Sequence, residues 1–294
     1  MAFVVFMPLV LSCGRTQPLK TGITSYRQDF KTDMAWISLE WNGKLYGYGS
    51  GFLVDKEKGA FYTNKHVSDM FNTLGNGSHK IFFNGKVYNA SIVKVLPLVD
   101  AALIKITDKF DPFEFPEPVV IATEKPDLGD LITIQGFHVH PHSIREWDKS
   151  QGFDYPIVPI LDDYYHMGTK NLNKERQIVF EQLYSVVLGV DVKYDVQFDD
   201  SPQSYAGLRE EVNRYIYVKT FKNHMFSFGG LSGSAARNAE GKVMGIVTRQ
   251  NPKEFVVDDD QTDKMGGYTV LKQVFTSIYI TPIESVDNLR EYLK

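Results

Sequence analysis

One cysteine in 294 residues, Cys13, leaves nothing for a disulfide to join, so the fold holds together without an internal cross-link. No run of lysine and arginine stands anywhere in the chain. Its 32 basic residues against 36 acidic ones give a formal net charge of -4. That balance carries no electrostatic footprint for a polyanion, and nucleic acid is excluded as a partner. No solenoid-like repeat of fixed period is present either. The apolar run AFVVFMPLVLSC at residues 2–13 is too short to span a bilayer. What remains is a globular balance, 43% hydrophobic and 23% charged, long enough for one large β domain or two smaller ones. Its 20 Phe and 16 Tyr suit strands better than helical bundles.

The apolar run looks like the core of a secretory signal. Val10-Leu11-Ser12-Cys13, followed by Gly14, resembles a bacterial lipobox, in which the cysteine is lipidated and becomes the new N-terminus. No Lys or Arg precedes the run, so two readings stand: a lipoprotein signal at residues 1–13, or a buried N-terminal strand. The first is favoured. It implies membrane anchoring through lipidated Cys13 and a place in the bacterial cell envelope, lipid-anchored, periplasmic or secreted. Residues 14–34 are polar and unpatterned and read as a tether.

From Ala35 the texture changes to short apolar and β-branched runs separated by turn signals. Asn42-Gly43 and Asn84-Gly85 each stand between two strand-like runs, which predicts hairpins. Short strands at this spacing predict an all-β barrel or sandwich. The pattern breaks over about residues 138–212, which reads as an insertion with structure of its own. Within it, NKERQIVFEQLYSVVLGV has the apolar spacing of an amphipathic helix. SVDNLREYLK predicts a short terminal helix over 285–294, with Ser285 as its cap.

Three segments carry the chemistry. GSGFLVDKEKGAFYTNKHV runs from a glycine-flanked strand through a turn to a second strand and His66. LPLVDAALIKI places Asp100 just before an apolar strand, and FGGLSGSAARNAEGKVMGIVTR sets Ser232 among Gly229, Gly230 and Gly233. A serine hydroxyl is a weak nucleophile until a base takes its proton during attack. A histidine can be that base and then the acid that protonates the leaving group. A carboxylate that fixes the imidazole tautomer completes the set. The chain order His, Asp, Ser is that of the chymotrypsin-type triad; subtilisins and α/β-hydrolases use other orders.

These segments resemble the trypsin-like serine peptidases, particularly the bacterial disulfide-free branch of HtrA-type and glutamyl-endopeptidase-like enzymes. Thr63-Asn64-Lys65-His66 looks like the strand end that carries the catalytic histidine, and VDAALIKI like the segment of the aspartate. GGLSGSA looks like the nucleophile motif, EGKVMGIVTR like the strand that pairs with substrate, and LGDLITIQGF like the connection that opens the second barrel. The resemblance implies two packed antiparallel β-barrels, chymotrypsin-like, at 35–115 and 116–284, with the partly helical insertion in the second. It implies a serine endopeptidase that needs no cofactor and takes protein or peptide substrates. Its catalytic residues are His66, Asp100 and Ser232, and its oxyanion hole the amides of Gly230 and Ser232. The substrate pocket lies among Phe226, Val247, Thr248, Arg249, Gln250 and Gly266, the last in MGGYTVL. Phe226 aligns with the pocket floor, where a trypsin carries Asp, which argues for a small or apolar side chain. HtrA-type members commonly carry a C-terminal PDZ module, which is not expected here after the terminal helix.

Two departures stand out. Leu231 replaces the family's Asp or Asn, which argues against activation by a freed N-terminus and leaves open what shapes the oxyanion loop. Ala235 replaces a proline. Leu231 keeps alive a second reading, a latent or inactive protease-like protein that binds peptides without cutting them. An esterase is disfavoured, because Ser234 breaks the G-x-S-x-G elbow. Each motif alone is commonly structural: a serine in a glycine turn, a histidine at a strand end, an aspartate as a cap. It is the three together, in order and in strand context, that carry the reading. His138, His140 and His142 alternate on one side of a strand, as metal ligands could. Pro141 interrupts them and no cysteine can join, so no metal is expected. Nothing in the sequence specifies an oligomeric state.

Overall fold

The computed structural model describes residues 32–41, 44–68, 77–141, 157–158, 161–163, 165, 176–193, 214–224, 228–251, 254–257 and 271–294. Cys13 with its lipobox-like segment, most of the tether, His142, Phe226 and Gly266 lie outside the described residues.

The first six strands close into a barrel. They are β1 (Met34–Trp41), β2 (Lys44–Asp55), β3 (Ala60–Thr63), β4 (Ser78–Phe83), β5 (Lys86–Val95) and β6 (Ala102–Ile106). Their order around the barrel is β1-β2-β3-β6-β5-β4, antiparallel throughout. The two predicted hairpins join β1 to β2 and β4 to β5. Asn84 and Gly85 both take positive φ, 49° and 75°, as a two-residue primed turn requires, and Phe83 pairs with Lys86 across it.

The second barrel is built from β7 (Leu131–Pro141), β8 (Arg176–Val192), β9 (Tyr215–His224), β10 (Ala235–Arg237), β11 (Val243–Asn251) and β13 (Leu271–Pro282). Pairing of β11 with β13 closes the order β11-β10-β7-β8-β9-β13, and β12 (Glu254–Val257) adds a hairpin edge on β13. The architecture is all-β and two-barrelled.

The amphipathic-helix reading of NKERQIVFEQLYSVVLGV is wrong: from Arg176 onward the segment lies in β8, a strand of seventeen residues. From Glu181 to Leu188 burial alternates, with Glu181, Leu183, Ser185 and Val187 inward. Over Ile178–Phe180 both faces are buried, because Val158, Leu161 and Tyr165 of the insertion pack in one apolar cluster with Ile178 and Phe180. The added apolar positions blur the two-residue period into apolar spacings of three and four. A helical stretch does occur in the insertion, at 161–163. At the other end, Ser285 caps nothing. It closes a 3-10 turn, Ile283–Ser285, and the terminal 3-10 helix Asp287–Leu293 starts from Val286 without a side-chain cap bond.

Candidate active site

His66 stands in α1 (Lys65–Ser68), a single turn after β3. The amides of Val67 and Ser68 both donate to the Asn64 carbonyl, at 3.3 and 3.2 Å. Asn64 is buried, and its side-chain amide donates to the Asp100 carbonyl at 2.8 Å and to Thr248 Oγ1 at 3.2 Å. The turn that carries the histidine is thus tied to the segment before β6 and to β11 of the other barrel.

Asp100 is buried, and both of its oxygens are used. Oδ1 accepts from the His66 backbone amide at 3.0 Å, and Oδ2 meets His66 Nδ1 at 2.6 Å. Burial by itself pushes the Asp100 carboxyl up. The His66 charge, the two hydrogen bonds from His66 and the Arg249 charge outweigh it and hold the carboxyl below the usual carboxylate range. A carboxylate against Nδ1 places the imidazole proton there and leaves the Nε2 lone pair to accept one.

Ser232 lies in the turn between Phe228 and β10. Gly230 and Gly233 take positive φ, 101° and 87°. At Gly233 a Cβ would also stand 1.9 Å from the Ser50 carbonyl oxygen, so glycine is required twice over. The loop's carbonyls are tied down in turn. That of Gly229 accepts from Val139 N at 3.1 Å, that of Leu231 from Ser234 N at 2.9 Å and that of Ser232 from Ser50 N at 2.7 Å. Ser50 Oγ donates to the Gly230 carbonyl at 2.8 Å and accepts from Phe137 N at 3.0 Å. Among the described residues the amides of Gly230 and Ser232 donate to no protein group. Two loop amides without a protein acceptor, with the neighbouring carbonyls fixed, are the kind of donor that can receive an oxyanion.

Leu231 is fully buried in the second barrel's core with Phe228, Met244 and Val247. An apolar anchor therefore does the work that the resemblance assigns to an aspartate. Ser50 is the residue the sequence reading missed. It is an unremarkable small residue between two glycines, and only the packing of β2 on the loop shows its role.

A cleft of about 110 Å³ opens beside Ser232, lined by Phe228, Gly229, Ser232, Val247, Arg249, Gln250 and Ile278. Three of the predicted pocket residues, Val247, Arg249 and Gln250, are on it. Thr248 is not: it is buried and bonds to Asn64 and Thr281. Phe228 and Ile278 line the cleft without having been singled out. Gly49 joins the two halves of the site, since a Cβ there would lie 2.6 Å from Val67 Cγ2 and 2.8 Å from the Ser232 carbonyl oxygen. Ser232 Oγ and His66 share no hydrogen bond among the described residues. Among the described residues one group of metal-ligating type, His138, His140 and Glu181, lies behind the loop and outside the cleft.

No protein-family profile and no curated protein matches the chain. Solved structures do. Rv3671c protease from M. tuberculosis in its active form aligns at 15% identity and TM-score 0.51, covering 88% of this chain and 80% of that one. A serine-to-alanine mutant of Rv3671c from M. tuberculosis H37Rv, in an inactive form, aligns at 16% identity and TM-score 0.50, covering 88% and 85%. At these identities the likeness establishes the fold, the trypsin-like pair of barrels.

Proposed function

We propose that the chain is a serine endopeptidase acting through Ser232, His66 and Asp100. The observation that carries the reading is the pair of hydrogen bonds by which buried Asp100 orients His66, on the far side of Gly49 from Ser232. Ser232 Oγ attacks the scissile carbonyl carbon as His66 Nε2 takes its proton. The carbonyl π electrons move onto oxygen, and the amides of Gly230 and Ser232 receive that oxyanion. Collapse expels the amine, which takes the proton back from His66, and leaves an acyl ester on Ser232. Water, deprotonated by His66 in the same way, then releases the acid and restores the hydroxyl. Asp100 stays ionised throughout and stabilises the imidazolium.

Phe228, Val247 and Ile278 on the cleft favour an apolar side chain in the substrate. The lipobox-like Val10-Leu11-Ser12-Cys13 supports action at the cell envelope.

Labelling with a fluorophosphonate probe tests the reading. The native chain is expected to label, and Ser232→Ala and His66→Ala to lose labelling, since loss of a triad serine or histidine costs about a million-fold in turnover. A folded native chain that does not label sinks the reading in favour of a protease-like peptide binder.

A further inference from the structure

The inward face of β7 carries Ile132, Ile134, Gly136, His138 and His140 at the two-residue period, and that of β8 carries Glu181, Leu183, Ser185 and Val187. The isoleucines, Leu183 and Val187 belong to the second barrel's apolar core. At one end of the same interior stand two histidines and a carboxylate, all three with 0% exposure. The strand register brings them together. Glu181 pairs with Gly136 and His138 with Val179, which sets Glu181 diagonally across from His138 on one face.

Their ligand atoms converge on one place. His140 Nε2 lies 3.0 Å from His138 Nδ1 and 2.9 Å from Glu181 Oε2, and His138 Nδ1 is in contact with the same Oε2. Protons satisfy such a triangle poorly. If His138 Nδ1 donates to the carboxylate it cannot also accept from His140 Nε2, and if both nitrogens donate, they converge on one oxygen and crowd each other at 3.0 Å. A cation inside the triangle turns all three contacts attractive. Zinc bound tetrahedrally at about 2.0–2.1 Å holds its nitrogen ligands about 3.3 Å apart. From 3.0 Å the two nitrogens need to spread by only a few tenths of an ångström to reach that spacing, while the Glu181 oxygen, pressed close against His138 Nδ1, has to back away further.

We infer that His138 Nδ1, His140 Nε2 and Glu181 Oε2 form a structural site for a divalent transition metal, zinc above all. Two imidazoles and one carboxylate are a ligand set that zinc takes. The site is closed off from solvent, so the metal is taken up as the barrel folds. It sits directly behind the loop that carries Ser232. Val139, between the two histidines, donates to the Gly229 carbonyl at 3.1 Å, and a Cβ on Gly230 would lie 3.4 Å from His138 Cα. The His138 and Phe228 rings are 6.1 Å apart. A metal there pins β7 to β8 at the point where the loop leans on them. The inference does not depend on the peptidase reading, because its readouts are metal content and folding.

The test uses the full chain, expressed without a histidine tag and purified without chelator. About one equivalent of zinc per chain is expected by elemental analysis. Refolding from denaturant with cobalt in place of zinc is expected to give the visible absorption of tetrahedral cobalt. Refolding in the presence of chelator is expected to lower Tm, with recovery on refolding with zinc. Glu181→Gln keeps the size and hydrogen-bonding capacity of the side chain and is expected to hold the metal at least about tenfold more weakly. Ser232→Ala is expected to keep it. Should Glu181→Gln fail to fold, metal content and the cobalt spectrum of the native chain decide. A folded native chain without metal, whose Tm is the same when refolded with chelator or with zinc, overturns the inference.

Discussion

Two side chains explain most of what the site asks of single residues. Leu231 replaces a charged or amide residue with an apolar one, and its full burial beside Phe228 and Val247 anchors the loop by packing alone. Such an anchor has no titrating group and needs no freed N-terminus. Asp100 is the charged counterpart. Its carboxyl is buried yet held below the ordinary value of 3.8, because the charge and hydrogen bonds of His66 outweigh desolvation. The folded state thus binds the proton less readily than the unfolded chain. The stability this contributes is in place above the unfolded value and is lost as the pH falls through the lowered folded one. Asp100→Asn removes that contribution. Thermal unfolding of both proteins from pH 7 downward is expected to show the native chain ahead at neutrality and the gap closing below about pH 4. A gap unchanged in acid would mean that the carboxylate adds no pH-dependent stability. The variant is also expected to lose about four orders of magnitude in acylation rate, as the imidazole takes the wrong tautomer.

Between elements, the decisive contact is that of β2 with the loop before β10. Ser50 reaches across from the first barrel to the Gly230 carbonyl and the Phe137 amide, while its own amide holds the Ser232 carbonyl. Ser50→Ala leaves one buried acceptor and one buried donor without this partner, at a cost of about 1–3 kcal/mol. Because the Gly230 carbonyl belongs to the loop whose amides receive the oxyanion in the proposed reaction, the fluorophosphonate acylation rate is expected to fall while noncovalent peptide affinity changes little. Equal losses in both would make Ser50 merely structural. The reach of the sequence ends at this kind of contact. Hairpins at Asn42-Gly43 and Asn84-Gly85 were legible because their turn chemistry is local. The His66–Asp100 pairing, too, was legible, since each residue sits at the edge of a recognisable strand. Ser50 was not, because its partners lie 87 and 180 residues away. Glu181 escaped for a related reason. A helical reading of β8 kept it apart from His138 and His140, and only the β7–β8 register puts the three together. The period failed there because the insertion buries a second face of the strand over Ile178–Phe180.

Across the whole molecule, each barrel has an apolar cluster of its own and a third cluster is common to both. Trp36 and Phe52 of the first barrel belong to the same apolar cluster as Phe137, Ile178 and Phe180 of the second, with Tyr165 of the insertion among them. The Trp36 ring stacks on Tyr48 at 4.9 Å and meets Phe137 and Tyr165 edge-on at 6.4 and 6.5 Å. The C-terminal turns return to the first barrel and place Val286 and Leu289 in that cluster, and Lys94 lies 4.7 Å over the Tyr292 ring. Two barrels with only separate cores could unfold one after the other; the shared cluster and the returning tail make the loss of one expose the other. Trp36→Ala opens a cavity at their junction and is expected to cost about 3–5 kcal/mol. Denaturant unfolding followed by near-ultraviolet circular dichroism and by Ser232 labelling should still give one coincident transition, moved to lower denaturant. Two separated transitions in the native chain would show that the barrels fold independently. His66 and Asp100 of one barrel and Ser232 of the other would then be held in register by Ser50, Asn64 and their hydrogen bonds rather than by the core beneath them.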